Sequence, residues 1–244
     1  MADESKTEKA IETLRESIKR GDFGKSGRIP TIAQLSKDWS VSRTTVYESL
    51  ELLQLEGLLI MKGGAYYANW PIMRVPGIMQ PSFSSYLAMQ GLEAVEENII
   101  EPELVAMPPA LAGIFNQSEG IHVVHRMRRQ GTSGSPYRLA ENWYPANLAE
   151  EFLEPMRKDS TLDVIGEIGR VHGLSIDRIH EEAIARIPTT QEAEQLSILK
   201  TAPVLEVRCS NFAKDGTPLM WNKIILIATY FYLSHDYSPS DLVV

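Results

Sequence analysis

The start of one predicted helix carries side chains that suit contacts with phosphates and base edges. The stretch VSRTTVYESLELLQLEGLL opens with Ser42, Arg43, Thr44 and Thr45. Short hydroxyl donors at a helix N-terminus bind phosphate oxygens, helped by the positive end of the helix dipole. An arginine fork there can bond O6 and N7 of guanine, a contact worth roughly 1–3 kcal/mol. These residue types favour nucleic-acid recognition, and a serine cap followed by solvated threonines is the alternative.

A second candidate group lies in VVHRMRR, residues 123–129, which has the pattern of a β-strand. Strand alternation places Arg126 and Arg128 on the same face, two residues of strand rise apart. Two guanidinium groups at that spacing can converge on one phosphate or carboxylate. Paired strand arginines also occur on ordinary solvated faces, so the pattern alone indicates a candidate anion site.

The composition is that of an ordinary globular protein. The chain has 244 residues, of which 43% are hydrophobic and 23% are charged. The longest apolar run, Ile224 to Ala228, is far shorter than the roughly 20 residues that span a bilayer. The charged N-terminus MADESKTEK is unlike a secretory signal, and the single cysteine, Cys209, fits a reducing compartment. We therefore expect a cytoplasmic protein.

The net charge of −8 is unevenly distributed along the chain. Residues 1–75 contain 11 Lys and Arg against 10 Asp and Glu, a net charge of +1. The remaining residues contain 13 against 22, a net charge of −9. The acidic character belongs to the second part, so the first part remains compatible with a nucleic-acid partner.

Helical patterns occupy most of the first 60 residues. An apolar stripe with i, i+3, i+7 spacing, closed by a glycine, predicts a helix over 7–20. Thr31, with a glutamine three residues later, has capping-box spacing and predicts a helix over 31–38. A third helix should begin after Ser42, its cap, and end at Gly57 in a left-handed conformation.

A hairpin should follow these helices. The stretch LLIMKGGAYYANW alternates loosely around Gly63 and Gly64, which is typical of two strands joined by a tight turn. Helix, helix, tight turn, helix and hairpin is the element order of a winged helix-turn-helix. We therefore predict such a DNA-binding domain over residues 1–70.

The next segment breaks any regular pattern, because Pro71, Pro76, Gly77 and Pro81 interrupt it. We predict a linker over 71–84 and a second domain over 85–244. Strand-like and helix-like segments interleave there without a βαβ rhythm, so the fold class is α+β. The predicted strands are 121–129, 137–144, 203–212 and 219–228, and the predicted helices are 147–157, 160–172 and 189–199.

The first domain resembles the DNA-binding domain of GntR-type transcription regulators. The resemblance is carried by IPTIAQLSKDWSVSRTTVYESLELLQLEGLL, above all by its VSRTTV run and its L-x-x-E-G-L-L ending. It implies base and phosphate contacts from the third helix and a hairpin tip over the minor groove. The implied DNA-binding residues are Thr31, Ser42, Arg43, Thr44, Thr45, Tyr47, Lys62, Gly63 and Gly64.

The chain departs from that family's pattern where cations are usual. Ile32 and Ala33 stand where many members have an acidic residue and an arginine, and Tyr47 replaces a frequent arginine. The wing reads Lys-Gly-Gly-Ala-Tyr instead of Arg-Gly-x-Gly-Thr. Fewer cations predict weaker phosphate contact and a shallower salt dependence.

The second domain resembles UTRA, the ligand-sensing domain of the HutC-type branch of the GntR family. The matching stretches are HRMRRQGTSGSPYRLAENWYPANL, HGLSIDR and KDGTPLMW, and the resemblance covers about residues 80–235. It implies a chorismate-lyase-like mixed α/β domain with a small-molecule pocket. By resemblance, Arg126 and Arg128 hold an anionic effector group, Glu141 bonds effector hydroxyls, and Arg178 lines the pocket.

The last predicted strand carries apolar residues where sugar-phosphate sensors often have polar ones. Met220 replaces a glutamate, and Leu226, Ile227 and Thr229 replace a Tyr-Arg-x-Asp run. A buried hydroxyl without a partner costs roughly 1–3 kcal/mol. We therefore expect an anionic effector, phosphorylated or carboxylated, with a less polar body than an amino-sugar phosphate.

The sequence predicts a ligand-responsive repressor that binds double-stranded operator DNA as a homodimer, without a cofactor. The histidines show no metal-ligand spacing, and Cys209 should be a small core residue. Two alternatives remain: a lyase-like enzyme in the second domain, or a second domain that only dimerises.

Overall fold

The computed structural model describes residues 2–24, 26–69, 83–89, 93–115, 121–133 and 135–231. These residues fall into two compact units. The winged unit holds three helices and a two-stranded hairpin, and the sheet unit holds a six-stranded antiparallel sheet with helices on its faces.

The winged unit has the predicted order of elements. Val46, Leu50 and Leu53, the apolar stripe of its third helix, are fully buried in its core with Ile18 of the first helix. Its elements are α1 Ala2–Arg20, α2 Ile32–Trp39, α3 Arg43–Leu55, β1 Leu59–Lys62 and β2 Ala65–Ala68.

Caps fix both ends of the helix-turn-helix. The Thr31 hydroxyl accepts from the Gln34 amide at 3.3 Å, and the Gln34 side chain accepts from the Thr31 amide at 2.9 Å, which is the predicted capping box. Ser42 caps α3 through a 3.0 Å bond from the Thr45 amide. Gly57 follows α3 with φ +73°, a left-handed conformation that suits glycine. These local predictions are confirmed.

The sheet unit contains more elements than the sequence patterns predicted. The helices Phe83–Met89 and Pro109–Phe115 and the strand Val95–Ala106 were not expected, and the predicted helix 147–157 consists of two short helices joined by a 3-10 turn. The elements are α4 Phe83–Met89, β3 Val95–Ala106, α5 Pro109–Phe115, β4 His122–Thr132, β5 Ser135–Pro145, α6 Ala146–Ala149, α7 Leu153–Lys158, α8 Val164–His172, β6 Arg178–Arg186, α9 Thr190–Leu196, β7 Val204–Phe212 and β8 Pro218–Ile227.

The predicted linker over 71–84 lies outside the described residues as far as residue 82. Its last two positions, Phe83 and Ser84, begin α4. The predicted helix 160–172 starts only at Val164, because Asp163 is its cap and the residues before it form a loop.

The strand order is β3-β4-β5-β8-β7-β6, and every neighbouring pair is antiparallel. Adjacent residues of a strand point to opposite faces. Val124, with Tyr144, packs beneath α6 and α8. Val123 packs on the other side against α5. Arg126 and Arg128 share the side of Val124, which we call the arginine face.

Candidate functional site

The tip of α3 combines fixed and exposed side chains. The hydroxyls of Ser42 and Thr45 lie 2.9 Å apart and are held at the cap. Arg43 and Thr44 between them are exposed. The cap therefore orients the backbone, and the guanidinium and hydroxyl of the next two residues point into solvent, as a contact with a DNA groove requires.

One turn further along α3, Tyr47 stands where the family resemblance implies a cation. Its side chain is 42% exposed. A hydrogen bond to the carboxylate of Glu51, one turn later, raises the pKa of the Tyr47 phenol above its usual value of 10.0. This surface of the helix therefore offers DNA an aromatic ring and a carboxylate instead of an arginine.

The hairpin tip projects at the end of β1 and β2. Lys62 pairs with Ala65 across it, and Gly63 and Gly64 have φ of +52° and +76°. Two successive residues with positive φ make a tight turn that suits the twist of the strands. Nothing lies within 4 Å of the position a Cβ would take at either glycine, so the backbone conformation is what requires them.

In the sheet unit, Arg126 is 1% exposed on the arginine face. Its Nη2 donates to the Leu162 carbonyl at 3.1 Å and to the Tyr144 hydroxyl at 3.4 Å. Within the described part of the chain, its Nε and Nη1 are buried without a hydrogen-bond partner. A buried donor left open is costly, and it is a common sign of a ligand site.

Arg128 lies two residues further along the same strand. Its Nη1 donates to Glu96 at 2.8 Å and to the Ser160 carbonyl at 3.0 Å, and its Nη2 approaches Asn142 at 3.5 Å. Its Nε is likewise buried without a partner among the described residues. The loop before α8 therefore supplies backbone carbonyls to both arginines of the predicted pair.

A third arginine, which the sequence patterns did not single out, completes this group. Arg138, in β5, is 3% exposed and donates from Nε to Gln130 at 2.7 Å. It pairs across the strands with Gln130, two residues beyond Arg128. Arg138 and Asn142 are separated by an even number of positions in β5, the strand opposite Arg126, so strand alternation places them on the same face. This spacing was the sequence signal that could have identified Arg138.

Burial makes the charges of this arginine cluster, Arg126, Arg128 and Arg138, unfavourable. Burial, and then the nearby charge of Arg126, lowers the pKa of Arg128 to about 10. Burial, and then the charge of Arg128, lowers the pKa of Arg138 to about 9. A bound anion would offset this repulsion and accept from the open donors, so the cluster has the chemistry of an anion site.

Glu141 does not join this cluster. Its neighbour Asn142 pairs with Arg126, so Glu141 points to the opposite face. There it bonds to His125 Nε2 at 3.1 Å and to Lys223 Nζ at 2.6 Å. Burial tends to raise its pKa, but these two hydrogen bonds outweigh burial and lower it below 4.5. The position on the arginine face is Ala140, which lies opposite Arg128.

Arg178 is also separate from the arginine cluster. It opens β6, an exposed edge strand, and its guanidinium carbon lies 4.1 Å from the centre of the Phe212 ring. Three strands lie between β6 and β4, a span of roughly 19 Å at the usual strand spacing. The structure thus brings together two of the four predicted effector residues.

The neighbours of the cluster on the arginine face are mixed in polarity. Asn142 and Asn222, both buried, pair across β5 and β8, and Asn142 Nδ2 lies 3.4 Å from the Met220 sulfur. Leu226 is buried opposite Arg138. Two of the apolar replacements, Met220 and Leu226, therefore share the face of the arginines, together with two amides that the sequence patterns did not single out.

The described residues do not support a metal site or a reactive thiol. No group of three or more His, Cys, Asp or Glu is arranged there to hold a metal ion. Cys209 is buried, and burial together with Glu181 raises the pKa of its thiol to about 12, so it is a core residue as predicted. Among the helices that the structure describes, none has the length and apolarity to cross a bilayer.

A winged helix-turn-helix with an exposed helix tip, followed by an α+β domain, defines a two-domain DNA-binding regulator. Residues 6–65 match the gntR family of bacterial regulatory proteins, and residues 90–231 match the UTRA domain. The chain belongs to the gntR family, in the branch that carries a UTRA domain.

Two relatives are named as repressors. The HTH-type transcriptional repressor NagR of Bacillus subtilis (strain 168) is 28% identical over 210 residues, which cover 85% of this chain and 84% of NagR. The mannosyl-D-glycerate transport/metabolism system repressor MngR of Escherichia coli (strain K12) is 26% identical over 204 residues, 83% of each chain. The family and these relatives are transcription regulators, not enzymes, which excludes the lyase-like alternative.

The fold has a counterpart among solved structures. The crystal structure of PhnF from Mycobacterium smegmatis superposes with a TM-score of 0.65 at 19% identity, covering 92% of this chain and 99% of PhnF. This likeness confirms the winged helix-turn-helix and the mixed α/β second domain.

Proposed function

We propose that the protein is a repressor whose operator binding responds to a small anionic metabolite held at Arg126 and Arg128. The buried arginine cluster carries this proposal. Three guanidinium groups share the arginine face, and open donors on two of them point to an anion that is phosphorylated or carboxylated. Glu141 and Arg178 lie outside this site.

The winged unit supplies the DNA contacts in this proposal. Arg43 and Thr44, exposed at the tip of α3, read base edges and phosphates, and the Gly63-Gly64 turn follows the minor groove. Ser42 and Thr31 act mainly as caps, and their hydroxyls, with that of the half-buried Thr45, can also bond phosphate oxygens. Tyr47 and Lys62 complete the set.

We further propose a homodimer. One recognition helix contacts one half-site, and a two-fold protein matches a palindromic operator with two half-sites. In this proposal the DNA-binding domain spans 1–70, the linker runs from residue 71 to the start of α4 at Phe83, and the effector-binding and dimerisation domain follows. Effector binding then shifts the population between states that differ in operator affinity, which requires that the effector prefer one state.

Fluorescence anisotropy tests the proposed function. A labelled duplex from immediately upstream of the protein's own gene is titrated at two salt concentrations, with a random duplex of equal length as control. Salt-sensitive binding to the upstream duplex that one phosphorylated or carboxylated metabolite reverses is the expected result. Binding equal to that of the random duplex contradicts operator recognition. Operator binding that no anion changes supports the alternative in which the second domain only dimerises.

A further inference from the structure

Phe83, the first residue of α4, packs its ring against the third arginine of the cluster. The guanidinium carbon of Arg138 lies 4.2 Å from the ring centre. Both side chains are buried, with exposed fractions of 4% and 3%. An arginine over an aromatic face within about 6 Å is attracted by the ring quadrupole, and more strongly where water is excluded. The contact therefore helps to fix the start of α4 on the arginine face.

Hydrogen bonds connect this contact to the predicted effector pair. Arg138 donates to Gln130, and Gln130 donates to Oε2 of Glu96. Arg128 donates to the same oxygen at 2.8 Å. Glu96, Gln130 and Arg138 face one another across β3, β4 and β5, so the bonds follow one row of the sheet.

An anion at Arg128 changes the electrostatics of this row. Glu96 is 3% exposed at its side chain and shares one oxygen between Arg128 and Gln130. An anion that accepts from Arg128 weakens the hydrogen bond from Arg128 to Glu96. The shared Glu96 oxygen then interacts more strongly with Gln130. Since the Gln130 amide also accepts from Arg138, its position and that of Arg138 are linked.

The element at the far end of this row has a special place in the chain. Helix α4 is the first described element after residues 70–82, which follow the winged unit. Helix α4 is therefore the described element of the sheet unit that lies nearest in sequence to the winged unit.

We propose that Phe83 and Arg138 are positioning residues that transmit occupancy of the Arg126–Arg128 pair to α4. This inference rests on the proposed function, because it takes the arginine pair as the effector site. Energetic coupling of this kind requires an element with two arrangements, and α4 held or released by the Phe83–Arg138 contact is that element.

We call the proposed transmission from the arginine pair to α4 the relay. Hydrogen–deuterium exchange of the full-length protein tests it without requiring the operator. The probes are inorganic phosphate and malonate, one for each anion chemistry, and binding is measured separately by isothermal titration calorimetry. With the wild-type chain, whichever anion binds is expected to change the exchange rate of the α4 amides on the order of fivefold. An anion that binds while α4 exchange stays the same overturns the relay and leaves the effector site intact.

Three variants separate the relay from general destabilisation. Phe83→Leu keeps an apolar side chain but removes the ring face, so the anion should still bind while α4 no longer responds. Phe83→Tyr keeps the ring and should restore the response. Phe115→Leu is the matched control, because Phe115 is 1% exposed and lies in α5, on the opposite face; it should respond like the wild type.

The outcomes distinguish the relay from the proposed function. An unchanged α4 response in Phe83→Leu overturns the relay. An equal loss in Phe115→Leu also overturns it, because the effect then reflects loosened packing. Failure of both anions to bind the wild-type chain contradicts the effector site itself, and it contradicts the relay as well.

Discussion

Arg15 in α1 and Glu56 at the end of α3 form a two-point ion pair within the winged unit. Arg15 Nε and Nη2 donate to the two carboxylate oxygens at 2.8 and 2.7 Å. Glu56 is the glutamate of the L-x-x-E-G-L-L ending, so this residue joins two helices of the unit. A parallel two-point geometry is the strongest arrangement for such a pair.

Glu56→Gln should lower the free energy of unfolding by about 1 kcal/mol, since the pair is partly shielded from water. Arg170→Ala is the control, because its exposed pair with Glu167 within one helix should contribute only a few tenths of a kcal/mol. Urea denaturation followed by circular dichroism measures both. Equal losses would show that the Arg15–Glu56 pair has no special importance.

Arg43→Ala should weaken operator binding by about 1–3 kcal/mol and relax base preference at one position of each half-site. The anion affinity should not change, because Arg43 lies in the winged unit. Lys19→Ala removes one exposed positive charge from α1 and serves as the charge-matched control. Anisotropy with operator and mismatched duplexes makes the comparison. Equal effects in both variants would mean that Arg43 contributes only a general positive charge to DNA binding.

Tyr47→Arg should strengthen binding to any duplex and make the salt dependence steeper by about one unit of log–log slope, because one phosphate contact is added. Tyr47→Phe keeps the exposed ring and removes the hydroxyl that bonds Glu51. It should leave the salt slope unchanged. A slope that is the same for wild type and Tyr47→Arg would place residue 47 away from the phosphates.

Arg126→Met should abolish anion binding and raise the free energy of unfolding by about 1 kcal/mol, since a buried cation with open donors gives way to an apolar side chain of similar volume. Arg170→Met, at an exposed site, should change neither quantity. Calorimetry and urea denaturation give the two values. Retained anion binding in Arg126→Met would remove the central residue from the proposed site.

Anion affinity should fall as the pH rises through about 9. Burial lowers the pKa of Arg138 from its usual value to about 9, so between about pH 9 and the usual arginine pKa the unfolded chain binds more protons than the folded chain. The free energy of unfolding therefore rises with pH over that interval, while the site loses a positive charge. Phosphate keeps its own charge there.

Calorimetry with phosphate at about pH 8 and about pH 10 compares the two states of Arg138. Arg138→Met should bind more weakly at the lower pH and lose most of the dependence, with the remainder due to Arg128, whose pKa is about 10. Affinity independent of pH in the wild type would contradict the titration of Arg128 and Arg138 in this range.

The winged unit was predictable because its signals are local. A helical stripe such as Val46, Leu50 and Leu53, a cap such as Ser42 and a C-terminal glycine each fit within a few residues. The sheet unit depends on contacts between distant segments. Strand β3 carries a proline and two irregularities of register, so its sequence lacks a clean alternation.

The candidate site was predictable in part for the same reason. Strand alternation placed Arg126 and Arg128 on one face, as the structure confirms. A loose motif cannot be aligned with a family pattern to within one residue. In a strand, a difference of one residue moves a side chain such as that of Glu141 to the opposite face of the sheet. The spacing of Arg138 and Asn142 places both on one face of β5, but the residues of β4 that they oppose depend on the pairing register, which no local pattern specifies.

The carbonyls of the loop before α8 affect how tightly the proposed site would hold an anion. Both Arg126 and Arg128 donate to this loop, and the Nη2 of Arg126 already has two partners, Leu162 and Tyr144. Either two-point edge of the Arg126 guanidinium includes Nη2, so an anion must displace the Leu162 carbonyl or the Tyr144 hydroxyl before it accepts two hydrogen bonds from Arg126. Apparent affinity is reduced by the fraction of chains that are open. Half-saturation of the proposed site would therefore need more anion than two freely accessible guanidinium groups would need.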